Sequence, residues 1–263
     1  MSEPQRHTDP PAVTGEDARG GPDGEWVLQI TDLSAGYDNV PVVRRLHLSV
    51  AAGEVVALLG ANGAGKTTTL RAISGLVKLT SGTISLAGTD LANVSPTERA
   101  RLGIAHVPEG RGIFFGLTVA EHFRLGLRVE RADIERVLEH FPALHSLQDR
   151  RAGLLSGGEQ QMLAIACALT RKPKLLLLDE LSLGLAPVIV ERLLPVVRQF
   201  ADERQTAVVL VEQHVRLGLE IADRAYVLAH GEVVTSGTAE HLRKDTDLLV
   251  ASYLGQQPSS TAC

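Results

Sequence analysis

The segment 60–67 has the residue spacing of a phosphate-binding loop. Its sequence, GANGAGKT, fits the pattern GxxxxGK[ST] and lies between a predicted strand, 55–59, and a predicted helix, 68–73, which is the context that the pattern requires. The glycines leave backbone N–H groups free to face a phosphate chain, Lys66 can bind the terminal phosphates, and the Thr67 hydroxyl can ligate Mg²⁺. The alternative is a glycine-rich turn that fits the pattern by chance. The predicted contacts with a nucleotide come from Gly60, Asn62, Gly63, Gly65, Lys66, Thr67 and Thr68.

Two acids, Asp179 and Glu180, follow four consecutive leucines at 175–178. An apolar run this short is typical of a strand that is covered on both faces in a parallel sheet. Asp179 would then lie at the carboxyl edge of the sheet, where ligands bind in open α/β folds. We expect Asp179 to hold Mg²⁺ through a water molecule and Glu180 to act as general base toward an attacking water. Alone the pair could equally be a solvated strand end, but together with the segment 60–67 it favours a catalytic role.

The segment 156–159 is predicted to start a helix and to bind an anion. Ser156 and Glu159 have the spacing of a capping box, in which each side chain bonds the backbone N–H of the other residue. Gly157 and Gly158 lack side chains, so the N–H groups and the partial positive charge of the helix end can face an anion. The structural role and the binding role are compatible.

The sequence LSGGEQ at 155–160 resembles the signature of ATP-binding cassette (ABC) ATPases, and the stretch 26–254 resembles one cassette of that family. The resemblance implies that the segment 156–159 contacts the γ-phosphate of an ATP molecule held by the P-loop of another subunit. Hydrolysis would therefore need two cassettes arranged head to tail. A chain with one cassette would need a partner chain.

Three further positions follow from this resemblance. Tyr37 is at the position of an aromatic residue that stacks on adenine, although it could equally be a tyrosine at a strand end. Glu109 stands where most members have the Q-loop glutamine, which senses the γ-phosphate and Mg²⁺ and couples to the membrane partner. Gln213 replaces the switch histidine with an uncharged donor. His214, one residue later at the end of an extended strand, is expected to face the opposite way.

Four segments resemble the second ATPase subunit of branched-chain amino-acid importers: 107–111 (VPEGR), 156–164 (SGGEQQMLA), 182–187 (SLGLAP) and 211–213 (VEQ). That subgroup also has glutamate at the Q-loop position and glutamine at the switch position. Two positions depart from the wider family. Leu181 replaces the proline that follows the catalytic glutamate, a departure from the subgroup as well, and Ala186 stands where aspartate is usual.

The elements that must position these residues alternate between short β-type runs and helices. Capping boxes at 95–98, 118–121 and 156–159 mark helix starts, and the last one opens a long apolar helix at 160–170. We predict an α/β fold: a P-loop NTPase core with a mostly parallel sheet, an antiparallel β portion near the amino end and an inserted helical subdomain at about 109–158. The predicted strands are 27–30, 42–50, 55–59, 83–86, 104–107, 175–178, 208–211, 226–228 and 233–234.

Composition limits the class of protein and the extent of the domain. Of the 263 residues 44% are hydrophobic, and the net charge is −5. The first 25 residues carry six acids against two arginines and few large apolar residues, so we expect a disordered tail at 1–25. A flexible tail is expected at 255–263, with the ATPase domain at 26–254. The near-neutral domain argues against a nucleic-acid partner, and no apolar run is long enough to span a membrane.

The resemblance implies a subunit that binds ATP and Mg²⁺ and drives uptake of branched-chain or other apolar amino acids, or of urea or amides. Its partners would be a second ABC ATPase subunit, two membrane permease subunits and, indirectly, a substrate-binding protein. It would lie peripherally on the cytoplasmic face of the cell membrane. Because Gln213 lacks the charge of histidine, a heterodimer with a cassette that keeps the histidine is favoured. The alternatives are a non-transport ABC ATPase, for example in iron–sulfur cluster assembly, and a GTPase, for which no NKxD sequence occurs.

Overall fold

The computed structural model describes residues 26–38, 40–125 and 129–244, so the tails predicted at 1–25 and 255–263 lie outside the described residues. The strands are β1 (Leu28–Tyr37), β2 (Val40–Val50), β3 (Val55–Gly60), β4 (Leu79–Leu86), β5 (Thr89–Asp90), β6 (Ile104–Val107), β7 (Leu175–Asp179), β8 (Ala207–Glu212), β9 (Arg224–Ala229) and β10 (Glu232–Thr238). The helices are α1 (Lys66–Ile73), α2 (Pro96–Leu102), α3 (Val119–Arg124), α4 (Arg131–His140), α5 (Pro142–His145), α6 (Gly157–Leu169), α7 (Pro187–Arg204), α8 (Val215–Ile221) and α9 (Ala239–Lys244).

The larger sheet brings together the carboxyl ends of three strands, β3, β7 and β8, and the loops that follow them. Its order is β10-β9-β3-β8-β7-β6, with β10 antiparallel to β9 and the other neighbours parallel. Leu59 of β3 lies opposite Glu212 of β8, and Asp179 of β7 lies opposite Val211 of β8. The carboxyl ends of these three strands are therefore level, and the loops that carry the P-loop, the acidic pair and Gln213 meet at one edge. The predicted mostly parallel sheet is confirmed.

Both faces of this sheet are covered. Val55, Ala57 and Leu59 belong to a core shared with α6, α7 and α8, while Val56 and Leu58 belong to a core shared with α1 and the smaller sheet. Side chains alternate between the two faces of a strand, so a strand with a core on each side can be apolar at every position. All residues of β3, β7 and β8 are buried, which accounts for the uninterrupted leucines of β7.

The smaller sheet is antiparallel, in the order β2-β1-β4-β5, and confirms the predicted antiparallel portion. β1 extends to Tyr37, whereas the sequence predicted a strand only at 27–30. The register of β1 shifts after Ile30, and Asp32 has a φ of 51°. This irregularity interrupts the alternation of buried and exposed residues from which a strand is predicted.

The helices α3, α4 and α5 lie between β6 and α6, in the stretch predicted as a helical insertion at 109–158. Phe123, Leu138 and Leu144 pack into the same core as α6. The three predicted capping boxes are present at the starts of α2, α3 and α6. Within the described ranges, no helix combines the length and apolar character needed to cross a membrane.

A buried arginine fixes the end of α1, the helix that follows the P-loop. Arg99 of α2 donates to the carbonyl oxygens of Ala72 and Ile73 at 2.8 Å each, of Leu91 at 2.6 Å and of Val94 at 2.9 Å. Burial lowers the pKa of this guanidinium, but the four acceptors compensate for its lost hydration. The last carbonyl groups of a helix lack partners within the helix, so Arg99 caps α1 and joins it to α2.

Candidate nucleotide site

The loop 61–65 joins β3 to α1 and depends on glycine. Gly63 and Gly65 have φ values of 79° and 106°, a region that other residues rarely adopt. A Cβ atom on Gly65 would also lie 2.8 Å from Cγ2 of Val43. The predicted strand, loop and helix are formed, while the contacts of this loop with a nucleotide stay a prediction.

Lys66 is a buried cation that faces its own loop and Glu180. Its Nζ atom donates to the carbonyl oxygens of Gly60 at 2.9 Å and Ala61 at 3.1 Å, and it lies 3.5 Å from Oε1 of Glu180. A buried ammonium group needs such acceptors because burying it without them is unfavourable. Phosphate oxygens could replace these acceptors without leaving the charge unpaired.

Thr67 and Asp179 are in direct contact. The Thr67 Oγ1 atom donates to Oδ1 of Asp179 at 3.0 Å, and Asp179 is only 2% exposed. Burial raises the pKa of Asp179 to about 6, and the carboxylates of Glu180 and Glu109 act in the same direction, against the Thr67 hydrogen bond and the charge of Arg71. A divalent cation would neutralise the negative charge collected here.

The oxygen atoms of this contact fit Mg²⁺. This ion prefers oxygen ligands, and proteins usually hold it with one or two side chains together with phosphates and waters. The Thr67 hydroxyl and the Asp179 carboxylate are such a pair. Across the described part of the chain, no group of three or more His, Cys, Asp or Glu side chains is arranged to hold a metal, so this pair could supply only part of the coordination.

Glu180 follows β7 in a left-handed backbone conformation, with a φ of 48°. Its N–H group donates to the carbonyl oxygen of Val211 at 3.0 Å, and its side chain faces Lys66. Leu181, which stands where the family usually has proline, is buried in the core shared with α6 and α7. The turn after β7 is thus attached both to β8 and to the core.

Glu212 is a candidate that the sequence analysis did not single out. It ends β8, is 1% exposed and accepts hydrogen bonds from the N–H group of Ser182 at 3.0 Å and from its Oγ at 2.7 Å. Burial raises the pKa of Glu212, and the nearby Glu180 carboxylate raises it further, against the two bonds from Ser182. The available signal was an acid that ends the apolar run VVLVE.

Tyr37 and Glu109 occupy different borders of the site. Tyr37 ends β1 with 44% of its surface exposed, and its hydroxyl accepts a hydrogen bond from Arg71 of α1 at 3.1 Å. The ring can therefore be reached by a planar base, although it is also a tyrosine at a strand end. Glu109 is exposed after β6, and its charge acts on Asp179, so the structure brings it close to the acidic pair.

The predicted geometry of Gln213 and His214 needs a correction. β8 ends at Glu212, so both residues lie beyond the strand, and the alternation of side chains along an extended strand does not apply to them. Gln213 is half-buried in a bend, while His214 is exposed and is the N-cap residue of α8. The two side chains differ in exposure because the chain turns into a helix at this point.

The start of α6 is formed by the signature residues, which are Ser156, Gly157, Gly158 and Glu159. The Glu159 carboxylate accepts from the Ser156 N–H group at 2.7 Å, and the Ser156 hydroxyl accepts from the Glu159 N–H group at 3.3 Å. A Cβ atom on Gly158 would lie 3.0 Å from Cγ2 of Ile189 in α7, so this glycine also lets the two helices approach. The contact with ATP in another subunit stays a prediction.

Arg111 links the segment after β6 to the signature helix, a contact that the sequence analysis missed. Its Nη1 atom donates to Oε1 of Gln160 at 2.6 Å and its Nε atom to Oε1 of Gln161 at 3.3 Å. Gln160 in turn donates to the carbonyl oxygens of Ala152 and Leu155. The segment that contains Glu109 is therefore bonded to the first turns of α6.

A P-loop after β3 with an acidic pair at the end of β7 defines a P-loop nucleoside triphosphatase. A family model for ABC transporters matches residues 43–182. The chain is 42% identical over 234 residues to the high-affinity branched-chain amino acid transport ATP-binding protein BraG of Pseudomonas aeruginosa, covering 87% of this chain and 100% of that protein. It is 37% identical over 221 residues to the probable branched-chain amino acid transport ATP-binding protein LivF of Archaeoglobus fulgidus, with coverages of 82% and 94%.

Relatives with another cargo are also similar. The lipopolysaccharide export system ATP-binding protein LptB of Acidithiobacillus ferridurans is 36% identical over 237 residues, covering 88% of this chain and 98% of that protein. A solved structure of an ATP binding subunit of an ABC transporter matches with a TM-score of 0.71 at 32% identity, over 84% of this chain and 94% of that chain. The chain therefore belongs to the ABC transporter family, as one of its ATP-hydrolysing subunits. Cassettes of this family bind ATP, dimerise and act with membrane permease subunits.

Proposed function

We propose that this chain is the ATP-hydrolysing subunit of an amino-acid importer and that Glu180 activates the attacking water at its own ATP site. The observation that carries the proposal is that an ion pair and a hydrogen-bonded pair of oxygen groups meet at one sheet edge. Lys66 lies 3.5 Å from Glu180, and Thr67 lies 3.0 Å from Asp179. A cation for phosphate, a pair of oxygen ligands for Mg²⁺ and a carboxylate for proton transfer are thus adjacent.

Nucleotide binding follows from this arrangement. The N–H groups of the loop 61–65 and Lys66 bind the phosphates, and Thr67 and Asp179 hold Mg²⁺, Asp179 through a water molecule. Mg²⁺, when bound, supplies positive charge to the phosphate oxygens. The exposed ring of Tyr37 stacks on the adenine base.

Proton transfer depends on the ion pair of Lys66 with Glu180. In the described conformation the Glu180 carboxylate faces the ammonium group. Lys66 leaves this pair when it binds phosphate oxygens, so the carboxylate becomes free to accept a proton from water. Nucleotide binding and activation of the base are coupled through this one lysine.

A second cassette completes the site. We infer that Ser156 and the N–H groups of α6 contact the γ-phosphate of ATP bound by the partner cassette. Glu109 and Gln213 line the γ-phosphate end within the same chain. Because an amide donor carries no charge, the contact from Gln213 is weaker than one from a histidine, and a heterodimer with a cassette that has the histidine is the arrangement we propose.

A groove beside Glu109 is suited to a permease segment. It has a volume of about 360 Å³ and is lined by apolar residues that include Pro108, Ile113, Phe114 and Leu125. Phe114 and Leu125 are exposed, so a short apolar helix of a membrane subunit could cover them. The chain would then lie on the cytoplasmic face of the membrane, held by protein contacts.

Branched-chain or other apolar amino acids are the proposed cargo. The four sequence segments that resemble the second ATPase subunit of such importers support it, as do the names of BraG and LivF. Urea or amides are related possibilities for an importer. Export is the second candidate function, because LptB proteins are also relatives; a role in iron–sulfur cluster assembly has no comparable support.

Two measurements on the full-length chain test the proposal. Purification of the tagged protein from membranes should yield a second cassette with a switch histidine and two permease chains. Uptake of labelled leucine should fall to background with Glu180→Gln and stay unchanged with the matched control Glu135→Gln, an exposed acid on α4. Co-purification with an export system, or leucine uptake that survives Glu180→Gln, would contradict the assignment.

A further inference from the structure

We propose that Glu212 is a positioning residue for ATP hydrolysis, because its carboxylate holds Ser182 and so fixes the turn that presents Glu180. The inference deepens the proposed function and depends on the proposed role of Glu180 as general base. It assigns a task to an acid that no nucleotide contact requires. The pair of hydrogen bonds between Glu212 and Ser182 is called the clasp below.

The clasp has the geometry of a specific contact. Oε1 of Glu212 accepts from the Ser182 N–H group at 3.0 Å, and Oε2 accepts from the Ser182 hydroxyl at 2.7 Å. Both residues are buried, with 1% of Glu212 and 8% of Ser182 exposed. Bonds to an ionised acceptor are stronger than those between neutral groups, and a buried carboxylate that lost them would be left unpaired.

β8 attaches to the turn on both sides of Glu180. The carbonyl oxygen of Val211 accepts from the Glu180 N–H group at 3.0 Å, and the next residue of the same strand, Glu212, holds Ser182. Glu180 has a φ of 48°, a conformation that a residue with a side chain rarely adopts unless its surroundings impose it. The two attachments impose it here, and they fix the direction in which the Glu180 side chain leaves the backbone.

Three polar groups face the Glu212 carboxylate. Ser182 donates both hydrogen bonds, His214 favours the charged form of the carboxylate, and Glu180 opposes it. A second carboxylate nearby makes the charged form of a buried carboxylate less favourable, so burial alone does not explain a glutamate at this position. The clasp explains the choice, because both of its oxygens can accept a bond at once.

The clasp also joins two loops of the site. Glu212 immediately precedes Gln213, and Ser182 begins the segment 182–187 that leads to α7. A shift of either loop would therefore be transmitted to Glu180. General-base catalysis is sensitive to such shifts, since a displacement of about 1 Å can reduce the rate about 10²-fold.

Two measurements on the full-length protein distinguish an effect on the position of Glu180 from an effect on ATP binding. They are turnover at saturating ATP and the equilibrium affinity for ATP. Glu212→Ala should lower turnover about 10²-fold with ATP affinity nearly unchanged. Ser182→Ala keeps the N–H bond and should lower turnover about 10-fold or less. Glu212→Gln should restore most of the activity, because its amide oxygen can accept the N–H bond while its amide nitrogen donates to the Ser182 hydroxyl.

A double variant tests whether Glu212 acts on turnover through Ser182. Once Glu212→Ala has removed the clasp, adding Ser182→Ala should lower turnover no further. The matched control is Thr206→Val, which removes a buried hydroxyl bond of 3.0 Å to Pro173 at the opposite end of β8. Its thermal stability should fall while its turnover stays at the wild-type level, and Ser182→Ala provides the test if Glu212→Ala does not fold.

The outcomes distinguish the proposed role of Glu180 as general base from the proposed role of the clasp. Glu180→Gln with wild-type turnover would overturn the proposed role of Glu180 itself. An inactive Glu180→Gln together with wild-type turnover in Ser182→Ala and Glu212→Ala would overturn only the clasp. Additive losses in the double variant, or equal losses in Glu212→Gln and Glu212→Ala, would also overturn it, because the two residues would then act independently or through charge.

Discussion

Replacing Asp179 with asparagine should stabilise the folded chain in the absence of Mg²⁺ and nucleotide. Asparagine has nearly the same size and keeps an oxygen that can accept the 3.0 Å bond from Thr67, but it carries no charge. Burial makes the charged form of Asp179 unfavourable and raises its pKa from 3.8 to about 6. The variant removes that unfavourable charge, which in the proposed site holds Mg²⁺ through a water molecule, so hydrolysis should be lost.

The size of the stabilisation depends on pH. A carboxyl group with a raised pKa in the folded state binds its proton more tightly there than in the unfolded state, so stability falls as the pH rises from 3.8 through about 6. Each pKa unit corresponds to about 1.4 kcal/mol. The loss is therefore about 3 kcal/mol at pH 7.5 and about 1.5 kcal/mol at pH 5. Asparagine avoids this loss at either pH.

Urea unfolding with a chelator present measures the difference. The free energy of unfolding of Asp179→Asn should exceed that of the wild type by up to about 3 kcal/mol at pH 7.5 and by about half as much at pH 5, with equal denaturant slopes. Asp149→Asn, at an exposed position, serves as the control and should change little at either pH. An Asp179→Asn variant that is less stable than the wild type, or a difference that does not vary with pH, would refute the reasoning.

Four further variants test other parts of the site. Glu180→Gln should keep ATP affinity and lose turnover about 10²- to 10⁴-fold, since an amide cannot accept the proton; wild-type turnover would show that Glu180 is not the base. With the physiological partner cassette present, Gln213→His should raise or preserve turnover and His214→Ala should change it little, whereas loss of hydrolysis in His214→Ala would make His214 the switch residue. Ala186→Asp should raise the free energy of unfolding by about 1 kcal/mol, because α7 has no side-chain cap; an unchanged urea midpoint would show that no cap is formed.

Features that depend on neighbouring residues could be predicted from the sequence. The strand 104–107 matches β6 at both ends, and the capping boxes each involve residues three positions apart. Asp179 was placed at the carboxyl edge of the sheet because a buried strand precedes it. Local pattern and global fold agree at these positions.

Features that depend on distant residues were missed. Ser182 and Glu212 are 30 positions apart, and Arg111 and Gln160 are 49 apart, so no local spacing indicates either contact. The argument from strand alternation does not apply to Gln213 and His214, because β8 stops at Glu212 and both residues lie beyond it. An apolar run predicts that a strand exists, but its last residue depends on the loop that it meets.

The central claim is that this loop and acidic pair form the ATP site. The most direct test is to measure ATP binding by the wild type and by Lys66→Ala with Mg²⁺ present, and then hydrolysis under the same conditions. Lys66 is the cation that joins the phosphate site to Glu180, so its removal should weaken ATP binding about 10- to 100-fold and abolish turnover. Lys78→Ala, an exposed lysine that follows α1, should leave both unchanged. Wild-type affinity together with wild-type hydrolysis in Lys66→Ala would contradict the assignment of this loop and acidic pair as the ATP site.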